Sequence, residues 1–420
     1  MALRATKLCL IELLGEKYMS AAKPETSPTP IRANLGFVRP DQVVEDFDNR
    51  GLKRAITRPI DSVFESQFEY RECELNDWSA AGRESLDLPS MGFEAIDLSP
   101  HSELQELLAT CRAASEITPD QARRLRRYLT GSTFPLAGGK CLKFLNIAPE
   151  GLIMRKGGPN GLKIEQELSD TNSQDVALAI HADQDVHGTP LKQLMRGYAP
   201  RLFRHQSPDG ANRLSPMVLV NLWIPLQQIT RPLTLMDRRT LKAREQQLRY
   251  ALPTESFLDR SEDMRFNDIW TVLHDEQQAW YFSSEMSHDQ AYVFDTLGEP
   301  HGATLLPGEA TAEYYYLLLE KQVEQMHTDE PVAVPIDVLA GDPPPLPDVT
   351  TSALREAVTC MAALTASVPS GEASQEEQQS WLDAAETALE TMVRKSIEMR
   401  VVALLLPNRW PFNRGMTQSH

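Results

Sequence analysis

Asp175-Val176-Ala177-Leu178-Ala179-Ile180-His181-Ala182-Asp183 is the stretch on which the reading of this chain turns. Its apolar run predicts a strand, and that strand ends in an imidazole and a carboxylate two positions apart. Successive side chains of a strand alternate between faces, so His181 and Asp183 point the same way. A later histidine would complete a set of two imidazoles and one carboxylate. Such a set leaves three positions open on a non-haem Fe(II), enough for a keto acid and O₂. Alone, the pair is a weak signal, because His-x-Asp arises often by chance.

Outward from this stretch, residues 140 to 310 keep a strand texture. Cys141–Ala148, Met217–Ile224, Ala279–Phe282 and Gln290–Phe294 all read as strands, the second ended by Pro225. Short strands with turn residues between them predict a sandwich or jelly roll. Helices flank this region. Ser102–Ser115 carries Leu104, Leu107, Leu108 and Cys111 at helical spacing. Thr118-Pro119-Asp120-Gln121 predicts a capping box with proline at the first helical position. Helical patterns return at 309–329, near 352–366 and at 374–393, broken by Pro331, Pro335 and the stiff run Pro343-Pro344-Pro345. Ile397 to Leu406 reads as a last buried strand. The fold class is α+β.

Several histidines compete for the third ligand position. His187 and His205 stand in polar stretches and read as solvent-exposed. His274 is a candidate, and His288 sits in a Ser-His-Asp-Gln turn that suits a surface. His301, in Gly-Glu-Pro-His-Gly after the strand Val293-Phe294, has the right place for a ligand on an opposing strand. A keto acid also needs a cation for its far carboxylate, and the planar fork of arginine suits it. Arg400 lies within an apolar strand, where a buried guanidinium costs several kcal/mol unless paired. Glu398, on the same face, is the alternative structural partner.

Composition narrows the function classes. The chain has 420 residues with 41% apolar content, enough for a sizeable core and against wholesale disorder. Its 42 basic against 59 acidic residues give a net charge of −17, which disfavours a general nucleic-acid binder. Five scattered cysteines (Cys9, Cys73, Cys111, Cys141, Cys360) without a C-x-x-C argue against a structural zinc or disulfide framework and for a reducing, cytoplasmic setting. No window has the apolar length to span a bilayer, and Glu12 interrupts the short apolar run near the start. Residues 1–30 are expected to be a flexible lead-in, with Met19 as an alternative start.

Taken in order, several segments resemble one family. Ile31-Arg32-Ala33-Asn34-Leu35-Gly36-Phe37 resembles its first strand, and Met91-Gly92-Phe93-Glu94 its Gly-Phe strand. His181-Ala182-Asp183-Gln184 is similar to its metal motif, and Asn221-Leu222-Trp223-Ile224-Pro225 to its Asn-x-Trp-Arg-Pro strand. Trp280-Tyr281-Phe282, Met286 to Ala291 and Pro300-His301 follow in register. Arg394-Lys395-Ser396-Ile397-Glu398-Met399-Arg400 closely resembles its ending. The family is the hydroxylase/desaturase group that includes the AsaB-like enzymes and the 7α-cephem-methoxylase P8 chain-like proteins, within the Fe(II)/2-oxoglutarate-dependent oxygenases. Departures from its pattern fall mainly in the substrate pocket: Ile224 for arginine, Asp295 for lysine, Gly302-Ala303 for Thr-Ala. His301 and Arg400 also stand much further apart than the family places them.

The resemblance implies a double-stranded β-helix of the jelly-roll type over 31–308 and 394–420, with 309–393 as an inserted helical subdomain. That insertion is expected to be a lid, an oligomerisation surface or a mere decoration, and its removal to leave the barrel foldable. The implied metal ligands are His181, Asp183 and His301. Arg400 is the implied 2-oxoglutarate anchor, with Ser396 as helper, and O₂ the second cosubstrate. Asn221, Trp223, Tyr281 and Tyr292 are the candidate pocket lining. The implied activity is oxidation of a small specialised metabolite by hydroxylation, desaturation or cyclisation, with neither nucleic acid nor membrane as partner. A non-catalytic small-molecule-binding jelly roll is the alternative. A zinc-type hydrolase is a further one, although no H-E-x-x-H motif supplies its base.

Overall fold

The computed structural model describes residues 30–44, 50–56, 67–81, 86–114, 116–148, 152–164, 172–173, 179–188, 195–253, 266–327, 341–370 and 373–408. The lead-in expected over 1–30 lies, apart from Pro30, outside the described residues, as do Pro331, Pro335 and the first half of the strand expected at 175–181. The strands that position the site are β1 (Ile31–Val38), β2 (Phe68–Asp77), β3 (Phe93–Asp97), β4 (Lys140–Ile147), β5 (Ile153–Gly157), β6 (His181–Ala182), β7 (Met217–Gln228), β8 (Leu233–Met236), β9 (Gln247–Pro253), β10 (Phe266–Val272), β11 (Trp280–Phe282), β12 (Gln290–Asp295), β13 (His301–Ala303) and β14 (Arg394–Pro407). The longer helices are α1 (Ser102–Ala113), α2 (Pro119–Leu129), α3 (Glu309–His327), α4 (Ser352–Ala366) and α5 (Gln375–Met392).

Two sheets form. One runs β1–β2–β11–β8–β13–β6–β10–β9 and ends on the short strands Arg54–Ala55 and Val43–Val44. The other runs β3–β12–β7–β14–β4 and ends on Thr133–Leu136, with β5 also paired to β14. Most neighbours are antiparallel; β2 and β11 are parallel. The arrangement is α+β and consistent with a jelly roll.

Period two explains the layers. On β7, Val218, Val220, Leu222, Ile224 and Leu226 pack with α1 and α2. On β14, Ile397, Met399, Val401 and Ala403 join the same cluster. The intervening positions, Asn221 and Trp223 on β7 and Arg394, Ser396, Glu398 and Arg400 on β14, therefore face the other way. That way lies the first sheet: Trp223, Tyr292 and Phe294 pack with Leu233 and Leu235 of β8. Helices α3, α4 and α5 cover the outer face of the first sheet, sharing one apolar cluster with Leu35, Phe37 and Trp280. The order is helices, sheet, inter-sheet core, sheet, helices.

Local signals hold with a few corrections. Thr118 accepts from the Gln121 N–H and Gln121 reaches back to Thr118, the expected capping box. Pro225 does not end its strand; β7 continues to Gln228 because the pairing slips between Pro225 and Gln227, so a bulge accommodates the missing N–H. His205 is not solvent-exposed. It is buried on a short strand with its Nε2 3.0 Å from the Pro200 carbonyl.

Candidate metal centre

His181 and His301 meet because β6 and β13 are adjacent and antiparallel, with the two residues directly opposite each other. Gly302 follows, and a side chain there would press on Ile180. Asp183 lies one residue past β6. One donor atom from each of His181, Asp183 and His301 can be chosen so that all lie within 4.8 Å of one another. His181 Nε2 is 3.6 Å and His301 Nε2 4.0 Å from Asp183 Oδ1.

The surroundings orient each ligand. His181 Nδ1 is 2.8 Å from the Ala179 carbonyl, and His301 Nδ1 is 2.9 Å from the Glu299 carbonyl. A carbonyl only accepts, so both Nδ1 atoms carry the proton and both Nε2 lone pairs are free for a metal. Asp183 Oδ2 accepts a short hydrogen bond from Asn221 Nδ2, and Asn221 Oδ1 accepts from Thr296 Oγ1 at 2.8 Å. Such outer partners fix the angle of a ligating carboxylate. Burial opposes ionisation of Asp183, but Arg400 and the two imidazoles hold its pKa well below the usual carboxylate range. Arg400 Nη2 is 3.7 Å from Asp183 Oδ1. Burial pulls the His181 pKa down, yet the Asp183 hydrogen bond and charge raise it overall, while burial and His181 lower that of His301. Two imidazoles and an ionised carboxylate suit Fe(II), and the same set also suits zinc.

A small cavity of about 50 Å³ opens beside the three ligands, walled by Trp223, Arg394 and the Arg155–Glu398 ion pair at 3.0 Å. Arg394 is the unusual member. It is 2% exposed, and its guanidinium lies 5.2 Å from the Trp223 ring centroid. Nη2 reaches Ser396 Oγ at 3.2 Å, while Nε and Nη1 have no hydrogen-bond partner among the described residues. Burial and the nearby Arg231 and Arg155 charges push its pKa down to about 9.

The other expected pocket residues fall elsewhere. Asn221 is a support for Asp183, not a lining group. Tyr292 is buried in the inter-sheet core with its hydroxyl taken by Trp78 Nε1, and Tyr281 packs on Phe93 at 5.8 Å. Neither lines the cavity; Trp223 does. Glu398 pairs with Arg155 on the neighbouring β5. Arg394 and Arg155 were missed as site residues, although the even spacing of Arg394, Ser396, Glu398 and Arg400 on one strand puts all four on one face.

A protein-family model described as "YDMC: Oxidoreductase/YMDC permease-like domain" matches residues 155–311. That stretch holds all three clustered ligands. No helix among the described residues is long and apolar enough to cross a membrane. No curated protein matches the chain. Among solved structures, the chain is similar to an "iron and alpha-ketoglutarate-dependent endoperoxidase NvfI" at 14% identity and a TM-score of 0.41, over 89% of this chain and 97% of that one. A structure of the same endoperoxidase "with different conformation" gives 14% identity and 0.44, over 90% and 99%.

Proposed function

We propose that this chain is an Fe(II)- and 2-oxoglutarate-dependent oxygenase, built on a jelly roll, that oxidises an unactivated C–H bond of a small specialised metabolite. The observation that carries the reading is the convergence of His181, Asp183 and His301 beside a buried guanidinium, two of whose nitrogens lack partners among the described residues. For hydroxylation the overall balance is keto acid, O₂ and C–H giving succinate, CO₂ and C–OH.

Iron held there would supply the Lewis-acid and redox chemistry of such an oxidation. The residues do the rest. His181, Asp183 and His301 would hold the metal, and Asn221 with Thr296 fixes the Asp183 carboxylate. Arg400 keeps Asp183 ionised. We assign the distal carboxylate of 2-oxoglutarate to Arg394, with Ser396 beside it, in preference to Arg400. A guanidinium that already faces Asp183 is poorly placed for a second anion, whereas Arg394 has two buried N–H donors to offer. An unpaired buried charge is costly, and a bidentate carboxylate relieves that cost. Trp223 stacks beneath the guanidinium and holds it in place.

Succinate release tests the reading. The metal-stripped chain, reloaded with Fe(II) and given 2-oxoglutarate and O₂, is expected to form succinate slowly even without its substrate. Asp183→Ala is expected to abolish that. A chain that binds iron but never consumes keto acid would support the binding-protein alternative, and native zinc with hydrolysis the other.

A further inference from the structure

A second cavity, of about 550 Å³, lies apart from the residues that wall the small space at the metal ligands. It falls within the roughly 300–1,000 Å³ typical of small-molecule sites, whereas the space at the ligands does not. Its walls come from separate parts of the chain: Ser90, the hairpin around Pro208, the segment 238–247, and Gly298 in the turn that leads to His301. Four arginines line it, Arg213, Arg238, Arg239 and Arg244, and none of its lining residues is acidic. In a chain of net charge −17 this is a marked local reversal.

The arginines are positioned in two ways. Arg238 Nη1 bonds Asp295 Oδ2 at 2.6 Å and its Nη2 bonds the Leu88 carbonyl at 3.0 Å. Arg239 is clamped by Asp237 at 2.6 Å. Arg244 Nε is braced on the Pro208 carbonyl at 3.0 Å, and neither Arg213 nor Arg244 forms an ion pair with a carboxylate among the described residues. Asp237 and Asp295 therefore offset two of the four charges. Nearby, burial and the Arg238 and Arg213 charges lower the pKa of Arg204, against the opposing charges of Asp295 and Asp87.

We propose that this cavity binds a small polyanion of the phosphoryl or polycarboxylate class, through the forks of Arg213 and Arg244 against a floor set by Arg238 and Arg239. Planar guanidinium groups match either kind of oxyanion. The concave shape and the acidic remainder of the surface favour a small molecule over a nucleic acid. The site needs no metal, so it stands or falls apart from the oxygenase reading.

Calorimetric titration of the metal-free full chain tests it, with inorganic pyrophosphate in one arm and citrate in the other. At least one is expected to bind, and whichever binds more tightly assigns the class. The double variant Arg213→Ala/Arg244→Ala alters two exposed side chains and is expected to weaken that binding at least tenfold. Arg124→Ala/Arg127→Ala, on the exposed face of α2, is expected to leave it unchanged. Lack of binding in both arms, equal affinity in the cavity double variant, or tighter binding of a short oligonucleotide than of either probe would overturn the proposal.

Discussion

At the scale of single residues, two arginines on one strand face carry different expected tasks, and kinetics separates them. Arg394→Ala removes the proposed partner of the keto acid's far carboxylate. Truncating one member of a buried charge pair costs about 2–5 kcal/mol, so the apparent affinity for 2-oxoglutarate should fall roughly hundredfold at about 3 kcal/mol. Fe(II) affinity should stay near wild type. Arg400→Ala removes the cation beside Asp183 and should act the other way round, changing Fe(II) binding more than keto-acid binding. Equilibrium titrations of metal and of 2-oxoglutarate on both variants check this. Equal losses in both would show that neither arginine has a separable task. The three candidate ligands were legible because His-x-Asp is local and a strand fixes its geometry, and the structure brings them together. The division of labour between Arg394 and Arg400 was not, since it depends on what lies across the sheet: Asp183 opposite Arg400, and Trp223 and the cavity opposite Arg394.

At the scale of elements, ion pairs tie loops that the sequence leaves unconnected. Arg50 bonds Asp209 through Nε at 2.6 Å and Nη2 at 2.7 Å, and also pairs closely with Asp185, two residues past the candidate ligand Asp183. Ser207 adds a bond to Asp209 at 2.5 Å. Partial burial opposes ionisation of Asp209, but Arg50 and Ser207 hold its pKa below the usual value. A carboxylate with a depressed folded pKa stabilises the fold above its unfolded pKa of about 4, and that contribution is lost as pH falls through the lower folded value. The gap in Tm between wild type and Asp209→Asn should therefore shrink as pH falls from about 4 towards about 2. A gap that does not narrow would mean the carboxylate's charge is not what matters. Elements governed by nearest neighbours were readable: α1, the capped start of α2, α4 and the strand of Arg400 all lie close to where the spacing puts them. The continuation of β7 through Pro225 was not, because the bulge that permits it is a property of the paired strand β14.

At the scale of the whole molecule, the open matter is how 309–393 relates to the sheets. Its helices were legible as helical patterns at 309–329, 352–366 and 374–393; in the structure Ala312, Tyr316, Leu319 and Val323 form the buried stripe of α3, and Leu354, Val358 and Met361 that of α4. What such a stripe covers is not written in its own spacing. In the structure it covers the first sheet, and Leu319, fully buried, belongs to the same cluster as Leu35 and Phe37 of β1. Polar contacts add to this. The Glu309 carboxylate, at the start of α3, accepts the backbone N–H groups of Arg231, Leu306 and Asn160 at 2.7, 2.9 and 2.8 Å. Thr230 Oγ1 bonds the Met392 carbonyl at the end of α5. Removing 309–393 would uncover the apolar outer face of the sheet that holds His181 and His301, so we expect a chain lacking it to aggregate. That result alone would not separate lost packing from a failed linker. Leu319→Ala does, because it keeps the connection and deletes only buried methyl groups. It should lower unfolding free energy by about 2–5 kcal/mol, read from urea titration with an unchanged slope. It should also lower the midpoint of a probe placed on β1 together with that of the helices, in one transition. Two separate transitions, with the helices melting first and the sheet intact, would show that the helical segment is a unit of its own.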